Sequence, residues 1–100
     1  MSIVIRGAIR LDPSKLDQAR EVLATMSAAS EAEEGCHCYR FGFDVAEEGL
    51  CHLIEHWEDQ AALDTHFGSA HMATFLEAMP GIVAGPAEIL RYEVDSFGPM

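Results

Sequence analysis

No run of about 18 apolar residues occurs in this 100-residue chain, so no membrane-spanning helix is expected. Basic residues are also scarce. Six Lys and Arg stand against seventeen Asp and Glu, giving a formal charge of −11. Such a field repels phosphate backbones, so nucleic acid is excluded as a partner, and anionic substrates are disfavoured unless a local Arg captures them. Cysteines number three, an odd count and too few for a disulfide scaffold. Together with the alternating rather than continuously apolar start, MSIVIRGAIRL, this predicts a cytoplasmic protein. There is no G-x-G-x-x-G, no phosphate loop, no C-x-x-C pair and no Ser–His–acid arrangement, which removes the usual nucleotide, zinc-ribbon and serine-hydrolase readings.

What is present is ordinary globular composition, 49% hydrophobic and 23% charged, in one domain spanning residues 1–100. Residues 2–11 alternate and predict a strand. Asp12-Pro13 predicts a helix N-terminus, followed by Leu16, Ala19, Val22, Leu23 and Met26 at helical spacing. That helix should fade in the acidic stretch 31–34 and stop at Gly35. Residues 36–45 and 50–57 predict a β-hairpin across Ala46-Glu47-Glu48-Gly49. Glu58-Asp59 and Ser69 cap two short helices separated at Gly68, and residues 87–94 predict a fourth strand. The order βαββαβ is that of a ferredoxin-like α+β sandwich, an antiparallel sheet with helices on one face.

With a four-residue hairpin loop, Val45 faces Leu50, Arg40 faces Glu55 and Cys38 faces Trp57. One face then carries Cys36, Cys38, Arg40, Leu53, Glu55 and Trp57, and the other carries Tyr39, Phe41, Phe43, Leu50 and Ile54. A one-residue change of register would re-pair the strands while each kept its own two faces. Both faces are substantially apolar, and helices cover only one. The aromatic row Tyr39, Phe41 and Phe43 therefore predicts a second cover, an identical subunit joined sheet to sheet in a homodimer.

Several side chains are candidates for chemistry. Cysteines and histidines in 36–38 and 51–52 alternate between faces, which argues for structural thiols and no metal. Arg40 and Glu55 predict a cross-strand ion pair, either structural or a polar spot in an apolar pocket. Trp57 reads as core or as one wall of that pocket. His66 falls in the last turn of one helix, where the dipole favours the protonated ring. His71 falls in the first turn of the next, where it favours the neutral ring, so the two could act as an acid/base pair or simply cap the helix ends.

The stretches Glu34-Gly35-Cys36-His37-Cys38-Tyr39, Glu55-His56-Trp57-Glu58-Asp59-Gln60-Ala61-Ala62-Leu63-Asp64-Thr65-His66 and Ser69-Ala70-His71-Met72 resemble the antibiotic biosynthesis monooxygenase domain family. Its members read roughly E-x-G-C-x-x-Y, E-x-W-x-(D/S)-x-x-A-L-x-x-H and then P/A-H. The resemblance implies a dimeric α/β barrel of ferredoxin-like subunits. It also implies a monooxygenase using molecular oxygen, without metal or flavin, on a small hydroxylated aromatic such as a quinol or anthrone. His66 or His71 would be the base, Trp57 an aromatic wall and Arg40 the anion partner, with Glu55, Leu53, Leu63 and Phe67 lining the substrate. The chain has no asparagine, and Leu63 stands where anthrone oxygenases carry tyrosine, so the resemblance leads to the quinol-monooxygenase-like branch rather than to anthrone or haem chemistry. The same pocket would also suit an isomerase acting on a small carbonyl compound, or a non-catalytic ligand-binding dimer.

Overall fold

The computed structural model describes all 100 residues. In chain order the elements are β1 (Ser2–Arg10), α1 (Leu16–Glu31), β2 (Cys36–Phe43), β3 (Leu50–Trp57), α2 (Gln60–Phe67), α3 (Ala70–Ala78) and β4 (Glu88–Val94). The four strands form one antiparallel sheet in the order β2-β3-β1-β4. The helices lie on one side of it, as the ferredoxin-like reading requires.

Local chemistry accounts for the element boundaries. Asp12 Oδ1 accepts from the Ser14 amide at 2.9 Å, and Pro13 opens a single 3₁₀ turn that leads into α1. Helix α1 buries Ala19, Leu23, Met26 and Ser30, a stripe at spacings of four, three and four. Asp59 Oδ1 accepts from the Ala62 amide at 2.9 Å to start α2, and Ser69 Oγ accepts from the Met72 amide at 3.2 Å to start α3. Gly35 adopts φ 85°, and a Cβ there would lie 2.7 Å from the Ala62 Cβ, so only glycine lets this turn reach α2. Ile3, Ile5 and Ile9 of β1, Cys51, Leu53 and Trp57 of β3, and Leu63 and Phe75 of the helices fill the interior.

The hairpin departs from the expected register by one residue. Phe43 pairs with Cys51, Phe41 with Leu53 and Tyr39 with Glu55, so Arg40 faces Ile54. The cause is the connection. Strand β2 ends at Phe43, and Asp44 Oδ2 accepts from the amides of Ala46 and Glu47, making a six-residue turn where four were counted. From Cys38 onward each strand keeps its own two faces, but they join across the hairpin the other way, and Cys36, expected on the same face as Cys38, lies on the opposite one. The aromatic row Tyr39, Phe41 and Phe43 lies under the helices with Leu53, Glu55 and Trp57, not on the far side. Arg40 is exposed and pairs with Glu31 of α1 at 2.9 Å, so the Arg40–Glu55 ion pair does not form.

A β-bulge between Cys36 and Cys38 adds a residue to β2. Cys36 stays opposite Trp57 against the core, while the His37 ring lies over His56 on the far face, 4.7 Å away. Phe97 of the C-terminal segment packs edge-on against His56 at 4.4 Å. That far face otherwise presents Ile54, Leu90 and Tyr92, each at least two-fifths exposed, beside Arg6 and Arg40.

Candidate functional site

Two neighbouring helix ends and a turn remote from them in sequence meet at one carboxylate. Glu33 lies in the turn between α1 and Gly35, His66 in the last turn of α2 and His71 in the first turn of α3. Glu33 Oε2 is 2.6 Å from His66 Nδ1 and 2.7 Å from His71 Nε2. An ionised carboxylate can only accept, so it orients both rings with an N–H toward it. In the neutral rings, that leaves Nε2 of His66 and Nδ1 of His71 as the lone-pair nitrogens.

The His66 ring is fully enclosed. Its centroid lies 4.6 Å from the Trp57 ring and 5.4 Å from the Tyr39 ring. Beneath it, Trp57 Nε1 donates to Glu55 Oε1 at 2.9 Å. Burial pushes the Glu55 carboxyl above its usual range, against the lowering effect of the indole hydrogen bond, and the Glu33 charge adds to the rise. Burial likewise raises the Tyr39 phenol, with Glu55 a second cause. The Cys36 thiol is pushed up to about 11, again chiefly by burial, and stays protonated at neutral pH.

His71 is the member of the set that reaches open space. It lines a groove of ≈ 300 Å³ between α1 and α3, whose apolar walls are Val22, Met26, Phe75 and Ala78, with Glu21, Thr25 and Thr74 alongside. Its size is at the small end of the range for ligand pockets.

The expected site is thus partly assembled and partly dispersed. His66, His71, Trp57 and Glu55 come together. Leu53 and Leu63 are buried core residues, and Phe67 is mostly exposed on the outer side of α2. Arg40 stands on the sheet edge away from the histidines, tied to α1, so it has no anion to meet there. The space beside Trp57 is filled by packed side chains, and the open groove lies between two helices rather than between helix and sheet. Glu33 was not anticipated, because it is more than thirty residues from either histidine. The E-x-G-C-x-x-Y pattern does begin on it, which was the available signal. His52-Leu53-Ile54-Glu55-His56 has the spacing of a helical zinc motif but lies on a strand, where residues four apart are separated by about 13 Å.

Comparison with known proteins places this geometry. Residues 2–78 match the family model described as antibiotic biosynthesis monooxygenase. An uncharacterised Synechocystis protein, sll1783, is 35% identical over 92% of the chain, which spans 63% of that relative's length. YcnE of Bacillus subtilis, by name a provisional monooxygenase, is 28% identical over 92% of the chain and 97% of its own. Among solved structures, Rv0793 of Mycobacterium tuberculosis superposes with a TM-score of 0.89 at 21% identity, covering 99% of this chain and 100% of that one. A Caulobacter crescentus structure named for the same family reaches 0.90 at 23% identity, covering 95% and 91%. These structural likenesses establish the fold, and the family model matches more than half of the residues: the chain belongs to the antibiotic biosynthesis monooxygenase family.

Proposed function

We propose that the protein is a cofactor-independent oxygenase that deprotonates a small hydroxylated aromatic, of quinol or anthrone type, in the groove between α1 and α3. The observation that carries this reading is His71, held by Glu33 and forming part of the wall of an otherwise largely apolar cavity. A neutral imidazole whose Nε2–H is anchored on a carboxylate offers Nδ1 as a base, and the carboxylate steadies the cation formed when Nδ1 takes the substrate proton. His66, packed against Trp57, fixes the other side of Glu33 and acts as a positioning residue. The resulting anion is electron-rich enough to reduce oxygen directly. In a quinol conversion, a ring C–H becomes C–OH as the ring is oxidised to the quinone, one oxygen atom enters the product and the other leaves as water, so no external reductant is needed. Apolar walls favour this by excluding bulk water.

A second copy of the chain covering the outer sheet face completes the proposal, since Ile54, Leu90 and Tyr92 leave apolar surface there. The three free cysteines suit a cytoplasmic setting.

Oxygen uptake with menadiol tests the activity. The expected result is a rate above spontaneous oxidation that drops at least tenfold in H71A. A rate unchanged in H71A overturns the assignment. Proton exchange on a small carbonyl compound without oxygen consumption would instead favour the isomerase reading, which the same base could serve.

A further inference from the structure

We propose that Glu33, His66 and His71 form a binding site for a divalent first-row transition-metal ion. Glu33 Oε2, His66 Nδ1 and His71 Nε2 all lie within 4.8 Å of one another. Two imidazoles and one carboxylate are the donor set that suits zinc, ferrous iron or cobalt.

Four observations carry the inference. The first is distance. Around an ion bound at 2.0–2.1 Å, neighbouring ligand atoms sit roughly 3 Å apart. The carboxylate oxygen is already 2.6 and 2.7 Å from the two nitrogens, so the ion needs only small side-chain movements.

The second is rigidity. His66 is braced by Trp57 and Tyr39, and the turn that carries Glu33 is seated against α2 through Gly35, so two of the three ligands come from preorganised positions. The third is access. The His71 and Glu33 side chains keep 22% and 13% of their surface exposed, so water reaches the ligand set from the His71 side. The fourth is charge. A net −11 favours cations near the protein, and no Lys or Arg pairs with Glu33.

Binding requires no redox change. Each ring moves its proton to the other nitrogen, His66 to Nε2 and His71 to Nδ1, and the carboxylate stays ionised. The ion and the base of the oxygenase reading are therefore mutually exclusive states of His71. The metal site does not depend on that reading, because a protein inert toward quinols would bind the ion just as well.

The test is titration of chelator-stripped protein with Zn²⁺ by calorimetry, repeated with Co²⁺ followed by visible absorption. One equivalent should bind, and the Co²⁺ spectrum should lack thiolate charge-transfer bands. E33Q, which is nearly isosteric, and H71A, at a partly exposed position, should each weaken binding at least tenfold while circular dichroism shows an intact fold. The absence of stoichiometric binding, an affinity unchanged in both variants, or binding that instead disappears in C36S/C38S would overturn the proposal.

Discussion

The Trp57 indole N–H donates to the Glu55 carboxyl at 2.9 Å between residues two apart on the same face of β3, and the same indole packs against the His66 ring. It is a buried polar pair in an apolar surround. Replacing Trp57 by Phe removes the donor, leaves the acceptor unpaired and opens space against His66. Together these should cost about 2–4 kcal/mol. Urea denaturation of W57F checks this, and an unchanged midpoint would show that the pair contributes nothing.

Glu55 also gives a pH dependence with a definite sign. Its folded-state pKa lies above the ordinary 4.5, so the native state holds the proton to higher pH than the unfolded chain does. The resulting penalty is absent below the unfolded value and grows as pH rises through the folded one. E55Q keeps an acceptor for the indole and cannot ionise. Relative to wild type it should gain stability from pH 4 toward pH 8, as read from thermal melts across that range. A difference that does not vary with pH would mean that Glu55 titrates normally.

The opposite trend belongs to the far face. His56 has a folded pKa below 6.5, through burial first and the neighbouring His37 second. Below 6.5 the unfolded chain takes the proton more readily, so acid costs stability there, and above 6.5 the contribution is nil. Phe97 packs on both rings, with centroids at 4.4 and 5.6 Å, and contributes to the burial. F97A should raise the His56 pKa toward 6.5, which an NMR titration of the ring protons would show.

Gly35 should tolerate no side chain. G35A combines an unfavourable positive φ with a Cβ that meets Ala62 at 2.7 Å, and should cost about 1–3 kcal/mol. Because this turn carries Glu33, the histidine NMR shifts of His66 and His71 should move as well. A stable G35A protein with unmoved histidine signals would contradict the role given to the turn.

Arg40 should be dispensable for the site. Its guanidinium pairs with Glu31 at the surface and is not part of the groove lining. R40A should leave quinol oxidation and zinc affinity within twofold of wild type. A tenfold loss in either would bring the residue back into the site.

Much of the fold was legible because alternation and capping are local signals. Ile3, Ile5 and Ile9 mark one strand face, Asp59 and Ser69 announce two helix starts, and Gly35 ends the first helical segment. The hairpin register was not, because Asp44 can either continue a strand or accept hydrogen bonds from two following amides, and only the folded turn decides. That single residue moved the aromatic row to the other side of the expected sheet and separated Arg40 from Glu55. The two histidines were legible from their positions at neighbouring helix ends. Their shared carboxylate was not legible from spacing, since Glu33 sits in an acidic stretch that reads as a solvated helix terminus until α2 packs beside it.

The extra residue in β2 also affects how relatives should be aligned. Across the bulge, odd and even numbering stop predicting the same side, so His37 and Cys38 both belong with the outer surface while Cys36 stays beneath Trp57. In a homologue with one residue fewer here, the gap belongs opposite His37. Its cysteine would then keep its place under the tryptophan, and only one of the two rings that meet Phe97 would be missing.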